Sequence, residues 1–271
     1  MGDSLRCHLA TNPFLLTRMS SKSWRLMSGF AQCSDAFGSL DAIFRLEGER
    51  ITGESLSNVI RVEHQGIGYY VKRYYAAGKG LRRFFGKPRI QNEWESLLWF
   101  GANGIATAPV VAYGMETRFG LFQRGALITQ EIPCSTDLAR LARRNDARLA
   151  DRQWVKHISQ QAADAMRIMH RMGFIHNDFK WRNLLVDAHD HLFLIDCPLG
   201  AFWRSKLFEY RVLKEFATLD RVARYKLSNT QRLRFYLQYA DKNRLDAEDK
   251  RFIRKLAQRK ERRVSSFARS G

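Results

Sequence analysis

His176, Asp178, Lys180 and Asn183 stand at the spacing H-x-D-x-K-x-x-N, and Asp196 follows 13 residues after Asn183. Phosphoryl transfer from ATP needs these residue types: a carboxylate to orient the attacking hydroxyl, a cation over the transferred group, and oxygen ligands for magnesium. In that division of roles Asp178 accepts or orients the hydroxyl proton, Lys180 neutralises charge on the moving phosphoryl group, and Asn183 with Asp196 holds Mg²⁺. His176 reads as a residue that packs inward and fixes the loop, because Asp178 is already placed for the hydroxyl. The plain alternative is a polar loop between a helix and a hairpin, and the full set at this spacing argues against it.

A second part of such machinery stands upstream. Tyr70-Val71-Lys72-Arg73-Tyr74 puts a lysine in a strand-like run, matching the position from which a kinase lysine reaches the α and β phosphates. Alone, Lys72 reads as a solvated strand residue; beside a helix carrying Glu93 and the distal motif, it reads as a nucleotide ligand. Glu93 is the partner chosen over Glu95, since Leu97 lies four residues on from Glu93 and both then face the core.

These residues need elements to carry them. Val59, Ile60 and Val62 form one β-rich run and Tyr69 to Tyr75 a second, with turn residues His64 to Gly68 between, which predicts a hairpin in a strand-rich stretch from Ile43 to Tyr75. Ile90 to Gly101 has apolar residues at helical spacing and ends on glycine. Val110 to Tyr113 and Leu127 to Glu131 are further strand candidates. Trp154, Ile158, Ala162, Ala165, Met169 and Met172 recur every three or four residues, tracing one face of a helix that Gly173 ends. His157 and His170 on that helix read as ordinary helix residues. Leu184 to Val186 and His191 to Ile195 predict a hairpin around Asp187 to Asp190, and the chain beyond Leu207 reads helical. Residues 1–34 show no periodicity and are left unassigned. The order is a strand-rich first half, a hinge near Ile132 and Pro133, and a helix-rich second half.

The 271 residues are 45% hydrophobic and 27% charged, which excludes wholesale disorder and leaves room for a core without disulfides or metal. The 46 basic residues against 27 acidic favour anionic partners. The surplus is concentrated late: residues 201–271 hold 20 basic and 8 acidic side chains. Lys250 to Gly271 has nine basic residues and one acid beside a narrow apolar side of Phe252, Ile253 and Leu256, which fits either a last packed helix or a lipid-facing surface. Lys72 to Arg89 has seven basic residues and no acid among Tyr74, Tyr75, Phe84 and Phe85, text that can also mean nucleic-acid binding. No run reaches the roughly 18 uncharged apolar residues of a membrane span. Asn12, Pro13 and Arg18 interrupt any signal-peptide core, so the chain reads as cytoplasmic. Cys7, Cys33, Cys134 and Cys197 form no metal or disulfide spacing, and Cys197 reads as a packed thiol.

With these residues in view, the chain resembles the lipopolysaccharide kinase (Kdo/WaaP) family of Gram-negative bacteria, a branch of the protein-kinase-like fold. The resemblance runs from about Val59 to Leu256 and rests on Tyr70 to Arg73, Glu93-Trp94, Gly104 to Pro109, His176 to Asn183, Ala217 to Arg221 and Thr230 to Tyr236. It implies a bilobal α+β fold, with a strand-rich lobe over 35–132 and a helical lobe over 133–271. It also implies ATP-dependent phosphorylation of a heptose or Kdo hydroxyl in the lipopolysaccharide inner core, with adenine docked on the backbone of Glu131 and Ile132. A glycolipid acceptor places the protein peripherally at the cytoplasmic face of the inner membrane, against an anionic surface and without specific nucleic acid.

The chain departs from the wider kinase pattern in two places. Gly48 and Gly53 are the only glycines between Gly48 and Arg61, so the phosphate cradle has no G-x-G-x-x-G loop. Cys197-Pro198-Leu199-Gly200 follows Asp196 without Phe-Gly or a later Ala-Pro-Glu, leaving little room for a peptide platform. A small or glycolipid acceptor fits better than a protein. An atypical protein or metabolite kinase and a nucleic-acid-binding pseudokinase are the rival readings; the presence of Lys72, Asp178, Asn183 and Asp196 together weighs against the pseudokinase.

Overall fold

The computed structural model describes residues 20–53, 56–78 and 86–268, with side chains to residue 259. Lys79, Arg82, Arg83, Phe84 and Phe85 of the upstream basic run, and the tail side chains from Lys260 onward, lie outside the described residues. The chain divides into two compact units: one runs to Gln91 and takes in Val111–Thr129, and the other holds Asn92–Val110 and the chain from Gln130 onward.

The first unit is built on an antiparallel sheet. Its strands are β1 (Ser20–Leu26), β2 (Glu49–Gly53), β3 (Ser57–His64), β4 (Ile67–Tyr74), β5 (Val110–Arg118) and β6 (Leu121–Gln130), in the order β1-β5-β6-β4-β3-β2. β3 and β4 form the expected hairpin, turning on Gln65 and Gly66, both with positive φ, the geometry of a two-residue type I′ turn. Alternation then decides the faces. Tyr69, Val71 and Arg73 of β4 are buried on one face, and Lys72 stands on the other. The buried face is covered by two short helices, α1 (Ser34–Phe37) and α2 (Leu40–Arg45), whose Phe37, Leu40 and Ile43 pack on Ile60, Val62, Tyr69, Val71 and Ile128. Ile43 is thus helical, a correction to the strand-rich stretch expected to begin there: Ser39 caps α2 by accepting the Ala42 N–H.

β1 is serine and lysine over its first four residues, and its only apolar residues, Trp24 and Leu26, pack against the core at its end. It is held by backbone pairing along β5, from Ser20 opposite Arg118 to Leu26 opposite Ala112. Hydrogen bonds place it on the sheet.

The second unit is helical around two small sheets. Its helices are α3 (Arg89–Ala102), α4 (Leu138–Arg144), α5 (Arg152–Arg171), α6 (Ser205–Lys226), α7 (Asn229–Ala240) and α8 (Ala247–Ala268). The first residues of α3 fall in the sheet unit. Asp151 caps α5 by accepting the N–H groups of Gln153 and Trp154, and the chain leaves the helix through Gly173 at φ 76°. Trp154, Ile158, Ala162, Ala165 and Met169 are buried along the expected face, whereas Met172, past the end of the helix, is exposed. β7 (Thr136–Asp137), β9 (Leu184–Val186) and β10 (Leu192–Leu194) form one sheet, and β8 (Phe174–Ile175) pairs with β11 (Ala201–Phe202) in the other.

Candidate active site

The distal motif is shaped by elements of the helical unit alone. α5 ends, β8 adds two residues, and the loop His176 to Lys180 leads into a short 3-10 turn, Trp181–Asn183, before β9 begins. α5 fixes the hairpin that follows: Trp154 Nε1 donates to Asp190 Oδ1 at 2.7 Å, Gln161 Nε2 donates to the Asp190 carbonyl at 2.8 Å, and Gln161 Oε1 accepts the Leu192 N–H at 2.8 Å. Trp181 Nε1 donates to the Leu219 carbonyl of α6 at 3.1 Å. The loop that carries the motif is therefore held from both sides by long helices.

Within it, Lys180 Nζ lies 2.5 Å from Asp178 Oδ2, and both side chains are about a quarter exposed. Asn183 Nδ2 donates to the Asp178 carbonyl at 2.9 Å and to its Oδ2 at 3.3 Å. Asp178, Lys180 and Asn183 are thus brought together. The Ile195 N–H donates to the Asn183 carbonyl at 3.0 Å, which draws the end of β10 to the same place, and Asp196 follows at φ 61°. A left-handed aspartate is uncommon and marks a turn built to aim a side chain.

The donor set fits a hard cation. Asn183 uses its amide N–H groups on Asp178, which leaves its carbonyl oxygen, and with the Asp196 carboxylate this would be the all-oxygen chemistry that Mg²⁺ takes. Among the described residues no group of three or more His, Cys, Asp or Glu side chains is placed to hold a metal ion.

His176 is fully buried, its ring 5.9 Å from and nearly parallel to that of Phe100, with Phe179 edge-on at 5.8 Å. Its Nδ1 accepts the Asp178 N–H at 3.3 Å, so the imidazole is neutral with its proton on Nε2, an atom without a hydrogen-bond partner in the structure. Burial pushes its pKa down, against the pull of Glu215, Asp178 and Asp196. A ring held in this way orients the loop and is not placed to take a substrate proton. Cys197 is also buried, and burial pushes its thiol pKa well up, which makes it inert as expected.

Three other side chains hold the loop. Asn177 sits at φ 64°; its N–H donates to Glu215 Oε1 at 2.5 Å, its Nδ2 donates to the Leu199 carbonyl at 2.8 Å, and its Oδ1 accepts from Arg211 at 3.0 Å. The other oxygen of Glu215 lies 2.9 Å from His170 Nε2, whose Nδ1 is 2.9 Å from the Tyr239 hydroxyl. His170 is therefore not an ordinary helix residue but part of a buried chain that ends on the Asn177 backbone. A sequence signal existed: Glu215 is an acid on the apolar face of α6, among Val212, Phe216 and Leu219.

Glu93 is buried in α3 with Leu97, whereas Glu95 is half-buried. The same helix holds the segment after Asp196, since Asn92 Nδ2 donates to the Gly200 carbonyl at 2.8 Å. Lys72 stands in β4 of the sheet unit, its ammonium 5.6 Å from the centre of the Tyr74 ring. Glu131 and Ile132 directly follow β6, and Ile132 is buried. In the β2–β3 region a bulge interrupts pairing between Arg50 and Thr52, and the Arg50 guanidinium lies over Gly53 so closely that a Cβ there would meet it at 2.0 Å. That glycine makes room for an arginine head.

The family model for the lipopolysaccharide kinase (Kdo/WaaP) family matches residues 41–239. The chain belongs to this family. A family of kinases transfers phosphoryl groups from ATP. A solved structure, WaaP in complex with acyl carrier protein, shares the fold with a TM-score of 0.70 at 24% identity, covering 90% of this chain and 98% of that one. The comparison with curated proteins finds no match. The protein-kinase-like fold, with a strand-rich N-terminal sheet and a helical C-terminal part, is thereby established.

Proposed function

We propose that this lipopolysaccharide-family kinase uses ATP and Mg²⁺ to phosphorylate a heptose or Kdo hydroxyl of the inner core, working at the cytoplasmic face of the inner membrane. The observation that carries the reading is the meeting of Asp178, Lys180 and Asn183 in one loop. Asp178 orients the acceptor hydroxyl and receives its proton; Lys180, 2.5 Å away, balances charge as the phosphoryl group moves. Asn183 and Asp196 would hold Mg²⁺, which supplies neutralisation of phosphate charge. Lys72 would bind the α and β phosphates with Glu93 as its partner, and the backbone at Glu131 and Ile132 would take adenine. No described helix is long and apolar enough to cross a membrane, so attachment to an anionic lipid surface would be peripheral. Transfer of labelled phosphate to purified core oligosaccharide, against a protein mixture as control, tests the acceptor. Mass spectrometry of core sugars from cells with and without the gene then gives the position, and an unchanged phosphate pattern would sink the reading.

A second reading concerns a partner. The helical unit carries a half-open apolar pocket of about 370 Å³ among Leu138, Trp154, Ile158, Phe216, Leu219 and Leu233, with space for an aliphatic chain. This supports an acyl carrier protein as a partner here, the complex that the WaaP structure contains. Gel filtration with acylated and unacylated carrier protein tests it: co-elution that depends on the acyl group is expected, and its absence counts against the partner.

A further inference from the structure

The outward face of α6 has a composition that neither phosphate transfer nor core packing explains. Val212, Glu215, Phe216, Leu219 and Ala223 are the buried side of this helix. Leu207, Tyr210, Lys214, Arg221 and Tyr225 follow one another at steps of three, four, seven and four residues, which sets them along the opposite side. Leu207 is 61% exposed, Tyr210 51% and Tyr225 73%, large apolar surfaces that a soluble helix ordinarily turns inward. The line from Leu207 to Tyr225 is about 27 Å long at helical rise. It carries no acid: Glu215 is buried, Asp220 is paired with Arg232, and Glu209 falls off the line. Each tyrosine is topped by a guanidinium. Arg259 stacks on Tyr210 at 4.7 Å and donates to its hydroxyl at 3.1 Å, and Arg224 stacks on Tyr225 at 4.5 Å and donates to its hydroxyl at 2.6 Å.

We propose that this face of α6 is the surface by which the protein docks on an anionic phospholipid bilayer. Leucine and tyrosine on a convex helix side enter the boundary between headgroups and acyl chains, while lysine and arginine beside them meet lipid phosphates. Charge complementarity selects the occupant: an acid-free row of cations suits an anionic surface, and aliphatic Leu207 offers nothing for a nucleic-acid base to stack on. The placement also serves catalysis. The helix that turns this row outward turns Glu215 and Arg211 to Asn177, so docking sets the catalytic loop at a fixed height over the lipid. For its purpose the proposal rests on the glycolipid reading; its measurement is independent of it.

The test is co-sedimentation of the full chain with phosphatidylcholine vesicles, with and without phosphatidylglycerol, none containing a sugar acceptor. Wild type is expected to bind the anionic vesicles and release as salt rises through the range where the screening length falls to about 8 Å and below. The triple variant Leu207→Ser, Tyr210→Ser, Tyr225→Ser, and separately Lys214→Glu with Arg221→Glu, should each lower the bound fraction about tenfold, with far-ultraviolet circular dichroism unchanged. Should the triple variant fail to fold, an environment-sensitive dye on Leu207→Cys must shift to the blue on anionic vesicles alone. The proposal is overturned if wild type ignores anionic vesicles, if the triple variant binds as well as wild type, if the dye does not respond, or if the variants lose binding to an acidic protein or nucleic acid and keep the vesicles. Vesicle binding that persists where core phosphorylation is absent would remove the proposed substrate and leave the docking face standing.

Discussion

Glu215 Oε1 accepts the backbone N–H of Asn177 at 2.5 Å while Oε2 of the same carboxylate lies 2.9 Å from His170 Nε2. One buried side chain of α6 thereby joins α5 to the loop that carries Asp178. Truncating it orphans a backbone donor and a ring nitrogen in a dry interior, and a broken buried pair of this kind costs about 3 kcal/mol or more. Glu215→Ala should lower the urea midpoint and reduce kcat far more than it raises KM for ATP. Glu215→Gln, which keeps an acceptor for the Asn177 N–H, should recover much of kcat. A normal kcat with a raised KM would show that Glu215 does not position the loop.

Asp178→Ala and Asp196→Ala should each lower phosphoryl transfer by several orders of magnitude, the first by losing hydroxyl orientation and the second by losing a Mg²⁺ ligand. Single-turnover transfer, with thermal unfolding as the control for folding, makes the comparison. Near-normal turnover in either variant would refute the mechanism.

Lys72→Ala should weaken productive nucleotide binding. Glu93→Gln should reproduce part of that loss if Glu93, a charge buried in α3, is the proposed partner of Lys72. Half-buried Glu95 is the control. A larger effect from Glu95→Gln, measured by nucleotide titration, would assign the partner wrongly.

The legible parts of this chain were those where one physical constraint acts along the sequence. The three- and four-residue recurrence from Trp154 to Met172 located α5, although Met172 falls past its end, and the turn residues His64 to Gly68 between two β-rich runs located the β3–β4 hairpin. The loop from Asp178 to Asn183 was legible because phosphate chemistry restricts residue types at close spacing. β1 was not, since two apolar residues, Trp24 and Leu26, are too few to show a period and the strand's register is set by backbone bonds to β5, more than eighty residues away. α2 was not, because six residues are too few to show a period. The role of His170, which reads as an ordinary helix residue, was not legible because its partners, Glu215 and Tyr239, come from distant helices.

Stability should also depend on pH through His176. Its folded pKa is depressed by burial, so the unfolded chain binds the proton more readily and the contribution of the neutral ring is complete above about 6.5, the ordinary histidine value. As pH falls below that value the unfolded state gains protons that the folded state does not, and stability drops. Urea unfolding followed from neutral to acid pH should show a falling midpoint that His176→Gln flattens. A variant with the wild-type slope would assign the acid sensitivity to other groups.

Gly200 offers a test of how the segment after Asp196 is anchored. A Cβ at this position would lie 2.4 Å from the Phe174 ring, 2.6 Å from Cys197 Sγ and 3.0 Å from Ser96 Oγ, so it is hemmed in from β8, from its own turn and from α3. Its carbonyl accepts from Asn92 at 2.8 Å, so moving the backbone to relieve the clash would break the tie to α3. Gly200→Ala should therefore cost about 1–3 kcal/mol by overpacking, and because Asp196 precedes this turn directly, turnover should fall as well. Removing the sulfur opens one of the three walls. Gly200→Ala combined with Cys197→Ala should be more stable than the sum of the two single changes, with a coupling of about 1 kcal/mol in a double-mutant cycle from urea unfolding. Strict additivity would mean that the segment yields elsewhere and that Cys197 is not what confines it.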